Sequence, residues 1–178
     1  MVSTETGYHN YAGKTDGHLG LPESTAGRYL PRLALEHLRE GYVRAYTYEL
    51  LDEWYDPNND QTNFGLIRHD NTTKPGFEAI KSVIGLLSDR DASFSPGGLD
   101  IGLSGITANV RHLLLQKSDG RFYVAIWIGR SSWNPDGRYE EGVADQSVTL
   151  SIPGASQGRV HSLTASGSLL SSAATFTS

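Results

Sequence analysis

The chain has 178 residues with 38% hydrophobic content, 20 Gly, 7 Pro and 9 Tyr, enough for a substantial core interrupted by many turns. A formal charge of -5 and a pI near 5.6 exclude the basic patches that nucleic acid and anionic membranes select. No apolar run reaches the roughly 20 residues needed to span a bilayer, and the absence of cysteine removes disulfide and thiolate chemistry.

Residues 2–11, VSTETGYHNY, read as a short strand carrying Glu5 and ended by the Gly7–Tyr8 turn. The first residues show no basic region followed by an apolar core, so they are not read as a signal peptide. Residues 22–41 predict a helix, with Pro22 in its first turn and Gly41 as its stop. Leu30, Leu33, Ala34, His37 and Leu38 form its apolar stripe, and Pro31 inside the pattern predicts a kink or restart. Residues 42–50, YVRAYTYEL, are β-branched and aromatic and predict a second strand. A polar loop follows over 51–63. Pro75 then opens a helix over 75–88 whose buried face is Phe77, Ile80, Val83, Ile84 and Leu87. Strand, helix, strand, helix is the repeat of a parallel sheet covered by helices.

Residues 91–100, DASFSPGGLD, read as a linker. Beyond it, VRHLLLQK, the turn SDG and RFYVAIWI predict a strong hairpin, apolar on both faces of its second strand and so suited to the centre of a sandwich, with Trp127 in the core. SVTLSI (147–152) and GRVHSL (158–163) follow as strands, and residues 164–178 show no convincing closing strand. The domain division is therefore 1–90, a linker over 91–100, and a β-sandwich accessory domain over 101–178 whose last strand is not evident.

Acid–base work on a sugar needs two carboxyl groups flanking one bond. In a barrel of parallel strands, such groups sit at the carboxyl ends of the strands. Glu5 has that position, and Glu49 has a similar one on the next strand, followed by Asp52, Glu53 and Trp54.

TETGYHN, then YLPRLALEHLREGYVRAYTYELLDEW, then FGLIRHDNTTKPGFEAIKSVIGLL together resemble the last quarter of the barrel of retaining glycoside hydrolases of the cellulase and β-xylosidase type. HLLLQKSDGRFYVAIW resembles the small β-domain that follows that barrel in many members. The resemblance implies an α/β fold, the last two strand–helix units of a (β/α)8 barrel, followed by an all-β sandwich-like domain. It implies Glu5 as nucleophile, with Tyr8, Glu49 and Trp54 shaping the sugar site. The substrate would be a β-linked poly- or oligosaccharide, the parent enzyme extracellular, and no cofactor or metal is implied. The acid/base of that family follows an Asn, and this sequence contains no Asn–Glu pair. The expectation is thus a C-terminal portion of a longer enzyme, inactive by itself. The alternative is a free-standing β module that binds carbohydrate or protein, with Tyr123, Trp133 and Tyr139 as its candidate contacts.

Other motifs carry less. Asp56, Asn58 and Asp60 match the first ligand positions of a calcium loop, but Gln61 replaces the required Gly and Ile67 the terminal Glu. The six histidines lack paired zinc spacing; His9 and His69 flank strand ends. SPGG lacks the setting of a phosphate loop, and no Gly-x-Ser-x-Gly elbow is present.

Overall fold

The computed structural model describes residues 1–89 and 93–176. Strand β1 (Val2–Thr6) leads through a loop into helix α1 (Glu23–Arg39), then strand β2 (Arg44–Thr47), a 3-10 turn (Asp60–Thr62) and helix α2 (Pro75–Leu87). The remaining strands are β3 (Gly102–Ser104), β4 (Val110–Gln116), β5 (Phe122–Ile128), β6 (Trp133–Asn134), β7 (Tyr139–Glu140), β8 (Thr149–Ser151), β9 (Gln157–Leu163) and β10 (Leu169–Thr175).

Among the described residues the strands form five separate two-stranded sheets. β1 and β2 pair in parallel across α1. The other four sheets, β3–β8, β4–β5, β6–β7 and β9–β10, are antiparallel. This corrects the expected architecture. The molecule is not a partial (β/α)8 barrel followed by a sandwich; it is mostly small antiparallel sheets with two α-helices, closer to an all-β arrangement. The physical reason lies in what a linear pattern specifies. A strand–helix–strand order sets one crossover pair, whereas barrel closure needs many strands at a fixed tilt and stagger. Several later strands are only two or three residues long. Such strands pair with one neighbour and cannot extend a continuous sandwich ladder.

Two local expectations also change. Helix α1 runs unbroken through Pro31, which is buried. Residues 164–178 do contain a closing strand, β10, paired with β9 over its whole length; Thr177 and Ser178 lie outside the described residues, as do residues 91 and 92 of the expected linker.

The core explains how the parts are held. Leu21, Ala26, Tyr29, Leu30 and Trp133 form the buried cluster, with Tyr8, Ala12, Leu66 and Ile80 packed against it. Trp133, expected in an exposed or rim loop, is thus a core residue, and its indole N–H donates to the Gly20 carbonyl at 3.2 Å. Helix α1 is the spine. Tyr29 Oη contacts Ser131 Oγ at 2.9 Å and accepts from the Ser132 N–H, while Arg32 donates to the carbonyls of Ile128 and Arg130. Trp127, buried as expected, donates to Glu36 Oε1 at 3.0 Å. On α2, Ile84 is exposed, unlike the expected buried face; Gly76 and Ala79 are the residues fully covered there. Ser82 Oγ donates to the Gly167 carbonyl at the β9–β10 turn at 2.9 Å.

Candidate functional site

In parallel α/β structures, ligand-binding groups gather beyond the carboxyl ends of the strands. Here that end of the β1–β2 pair carries Glu5 and, two residues past β2, Glu49. Glu5 is the penultimate residue of β1 and is exposed. Gly7 follows the end of β1, and its φ of 151° and closeness to the Tyr48 carbonyl leave no room for a Cβ. Glu49 follows a cis Tyr48–Glu49 peptide bond. Its backbone is clamped on one side by residues 64–66, with its N–H donating to the Phe64 carbonyl and its carbonyl accepting from the Leu66 N–H.

Tyr48, the residue before Glu49, is exposed. The negative charge of Glu49, then burial, then the charges of Glu53 and Glu5 push its phenol above the ordinary range. Glu49 Oε1 is buried and accepts no hydrogen bond. Burial, then the charges of Glu53 and Asp52, raise the Glu49 carboxyl, against a lowering by Lys74. The site is therefore electronegative.

Beneath it lies a buried ion pair. Lys74 Nζ sits 2.8 Å from Asp52 Oδ2 and 2.9 Å from Oδ1, with side chains 3% and 7% exposed respectively. Asp52 Oδ1 also accepts from the Gly65 N–H at 2.8 Å. Lys74 Nζ also donates to the Asn63 carbonyl at 3.4 Å, so its charge is held inside and not offered to the surface. Sequence reasoning named Asp52 only as a neighbour of Glu49 and missed Lys74 and Tyr48. Lys74 precedes the proline that opens α2, and nothing in that position marks a lysine as buried.

The other expected residues disperse. Tyr8 is half-buried and edge-on to Tyr29 at 5.7 Å between ring centres, so its ring is spent on the core; burial raises its phenol, against a lowering by Arg32. Trp54 is 54% exposed beside Glu53, with Tyr55 also exposed and its ring 4.9 Å from that of His69. Asp56 and Asn59 cap local turns, and Asp60 pairs with Lys14 at 3.0 Å. Among the described residues no group of three or more His, Cys, Asp or Glu could hold a metal ion, and no helix is long and apolar enough to cross a membrane. The contacts considered for a β module do not form a row: Trp133 is buried, Tyr123 is half-buried, and Tyr139 Oη accepts from Asn134.

Enclosed space is scarce. A cavity of about 10 Å³ lies among Tyr8, Asn10, Tyr48 and Lys74. An open groove of about 390 Å³ separates α1 from the β6–β7 hairpin, where Arg28 and Glu140 are already paired with each other. The carboxylate group at Tyr48 is therefore a surface site. No family model matches the chain, and no curated protein matches it.

Proposed function

We propose that residues 1–55 carry one side of a retaining glycosidase site for β-linked poly- or oligosaccharides, with Glu5 as the nucleophile. The observation that supports this most is the placing of Glu5 and Glu49 at or just past the carboxyl ends of two adjacent parallel strands. The exposed Trp54 and Tyr55 beside them supply apolar faces of the kind that binding clefts use against sugar rings. The sequence resemblance to retaining glycoside hydrolases points to the same glutamate.

In this reaction a Glu5 carboxylate oxygen bonds to the anomeric carbon as the leaving-group oxygen departs, and water later cleaves the ester. Departure of an ordinary sugar oxygen needs a proton from a second carboxyl. The family's Asn–Glu acid/base has no counterpart in this sequence, so the chain alone is expected to hydrolyse natural glycans negligibly.

The test removes that requirement. A 2-deoxy-2-fluoro β-glycoside with a dinitrophenolate leaving group needs no protonation, and its ester with the enzyme turns over slowly. Incubation followed by peptide mass spectrometry should find one fluoroglycosyl group on the peptide containing Glu5, and none in Glu5→Gln. A folded protein that gains no label from a panel of gluco- and xylo-configured reagents overturns the assignment.

A further inference from the structure

We propose that His9 is an acid-sensitive latch, whose protonation releases the loop of residues 10–20 from the rest of the molecule. This loop leaves the end of β1 and returns at Leu21, the first core residue before α1. His9 stands at its neck. The Leu21 N–H donates to the His9 carbonyl at 3.2 Å, and Asn10 Nδ2 donates to the Leu21 carbonyl at 3.2 Å. The Asn10 N–H donates to the Asn63 carbonyl at 2.9 Å. Farther out, Lys14 ties the loop to Asp60.

The ring of His9 is 2% exposed. Its Nε2 lies 2.7 Å from the His18 carbonyl, which can only accept, so Nε2 carries the hydrogen. Nδ1 is then a lone-pair acceptor, and it is buried without a partner. Protonation would place both a charge and an unsatisfied N–H at that atom, and a buried unpaired charged donor costs far more than an unused lone pair. The ring cannot shift to find an acceptor. Phe64 packs edge-on at 5.1 Å, and Gly20 is so close that a Cβ there would lie 2.6 Å from the ring's Cε1.

The charges around the ring are few. Asp60 on the 3-10 turn favours the imidazolium; Lys14 and His18 on the loop oppose it; Phe64 and Gly20 contribute none. Burial is the largest influence, and the imidazole is held below its ordinary range. When the loop opens, the ring regains its ordinary affinity for protons, so the open form binds more protons between the two values. The closed loop is therefore fully favoured above the ordinary histidine range and loses that preference as pH falls towards the depressed value. Asp60, held low chiefly by its hydrogen bond from Lys14, acts in the same direction but in the carboxylate range. The two steps are separable.

Native-state hydrogen exchange on the full chain reads the opening, with the amides of Asn10 and Leu21 as reporters. Corrected for intrinsic rates, their protection should fall about tenfold or more between about pH 7.5 and about pH 5. In His9→Gln, whose side chain at that position does not titrate, the drop should vanish. Protection independent of pH in the native protein overturns the latch, and so does an equal drop in both proteins. If His9→Gln does not fold, the native protein decides alone. An NMR titration should find the His9 ring still neutral where protection begins to fall and titrating only at the lower end of that window, and a ring that titrates in the ordinary histidine range overturns the proposal.

Discussion

Replacing Lys74 by Met leaves the Asp52 carboxylate in place, 5% exposed, with its cation gone and only the Gly65 N–H facing it. Breaking a buried pair by removing one partner costs about 3–5 kcal/mol, since the remaining charge stays uncompensated. Exposed pairs such as Lys81–Glu78, 3.6 Å apart, contribute about 0–1 kcal/mol, so Lys81→Met serves as the control. Adding Asp52→Asn to Lys74→Met should recover much of the loss, because the amide oxygen still accepts from Gly65 while the unpaired charge disappears. The pair should therefore show a coupling energy of about 2 kcal/mol or more in a double-mutant cycle. Urea unfolding followed by tryptophan fluorescence and far-ultraviolet circular dichroism measures the parent, the two single variants Lys74→Met and Asp52→Asn, the double variant and the Lys81→Met control, with coincidence of the two probes checking two-state behaviour. A Lys74→Met midpoint within about 1 kcal/mol of the parent, or strictly additive losses, would refute the reasoning.

Other perturbations test other links. Trp133→Ala removes the largest side chain of the core cluster and its bond to Gly20, and should cost about 3–5 kcal/mol in the same urea assay. The raised Glu49 carboxyl means that the folded state binds more protons than the unfolded one above the ordinary glutamate range. Stability should fall as pH rises through the window between the ordinary and raised values, and Glu49→Gln should flatten that fall; unfolding midpoints across the window decide it. Gly167→Ala would put a Cβ 2.4 Å from the Pro75 carbonyl oxygen at a φ of 85°, so the β9–β10 turn should lift off α2 at a cost of about 2 kcal/mol, visible as faster exchange of the Gly167 and Thr164 amides. Glu5→Gln, at an exposed strand end, should change stability by less than about 0.5 kcal/mol, so any lost labelling reports chemistry.

Local elements were the legible part of this sequence. Pro75 begins α2 where a proline can begin a helix, and the β-branched and aromatic run RFYVAIWI gives β5 almost to the residue. Strand β10 was missed because LLSSAAT has little strand propensity; its signal was the turn before it, where Gly167 at positive φ brings Ser168 back to Thr164. The burial of Trp133 was illegible for another reason. It depends on Gly20 and α1, more than 90 residues away in the chain, and a loop sequence does not encode such a partner. The architecture failed on the same ground, since element order specifies neighbours and not how many sheets join. At the site, Glu5 and Glu49 could be placed from strand ends alone. The buried Lys74–Asp52 pair belongs to tertiary packing.

The contacts that run from α1 and α2 into the second half have a bearing on how the protein would come apart. Tyr29, Arg32 and Glu36 together hold residues 127–132, the end of β5 and the stretch after it, while Ser82 holds Gly167 at the β9–β10 turn, and among the described residues these two regions share no strand ladder that would bind them to one another. A protease cutting within residues 93–100 would sever the covalent link and leave this scaffold intact. The two pieces should then travel together through a sizing column under native conditions. Expressed apart and mixed, they should restore one another's structure, with the helix pair acting as the template on which the hairpins of the second half are assembled.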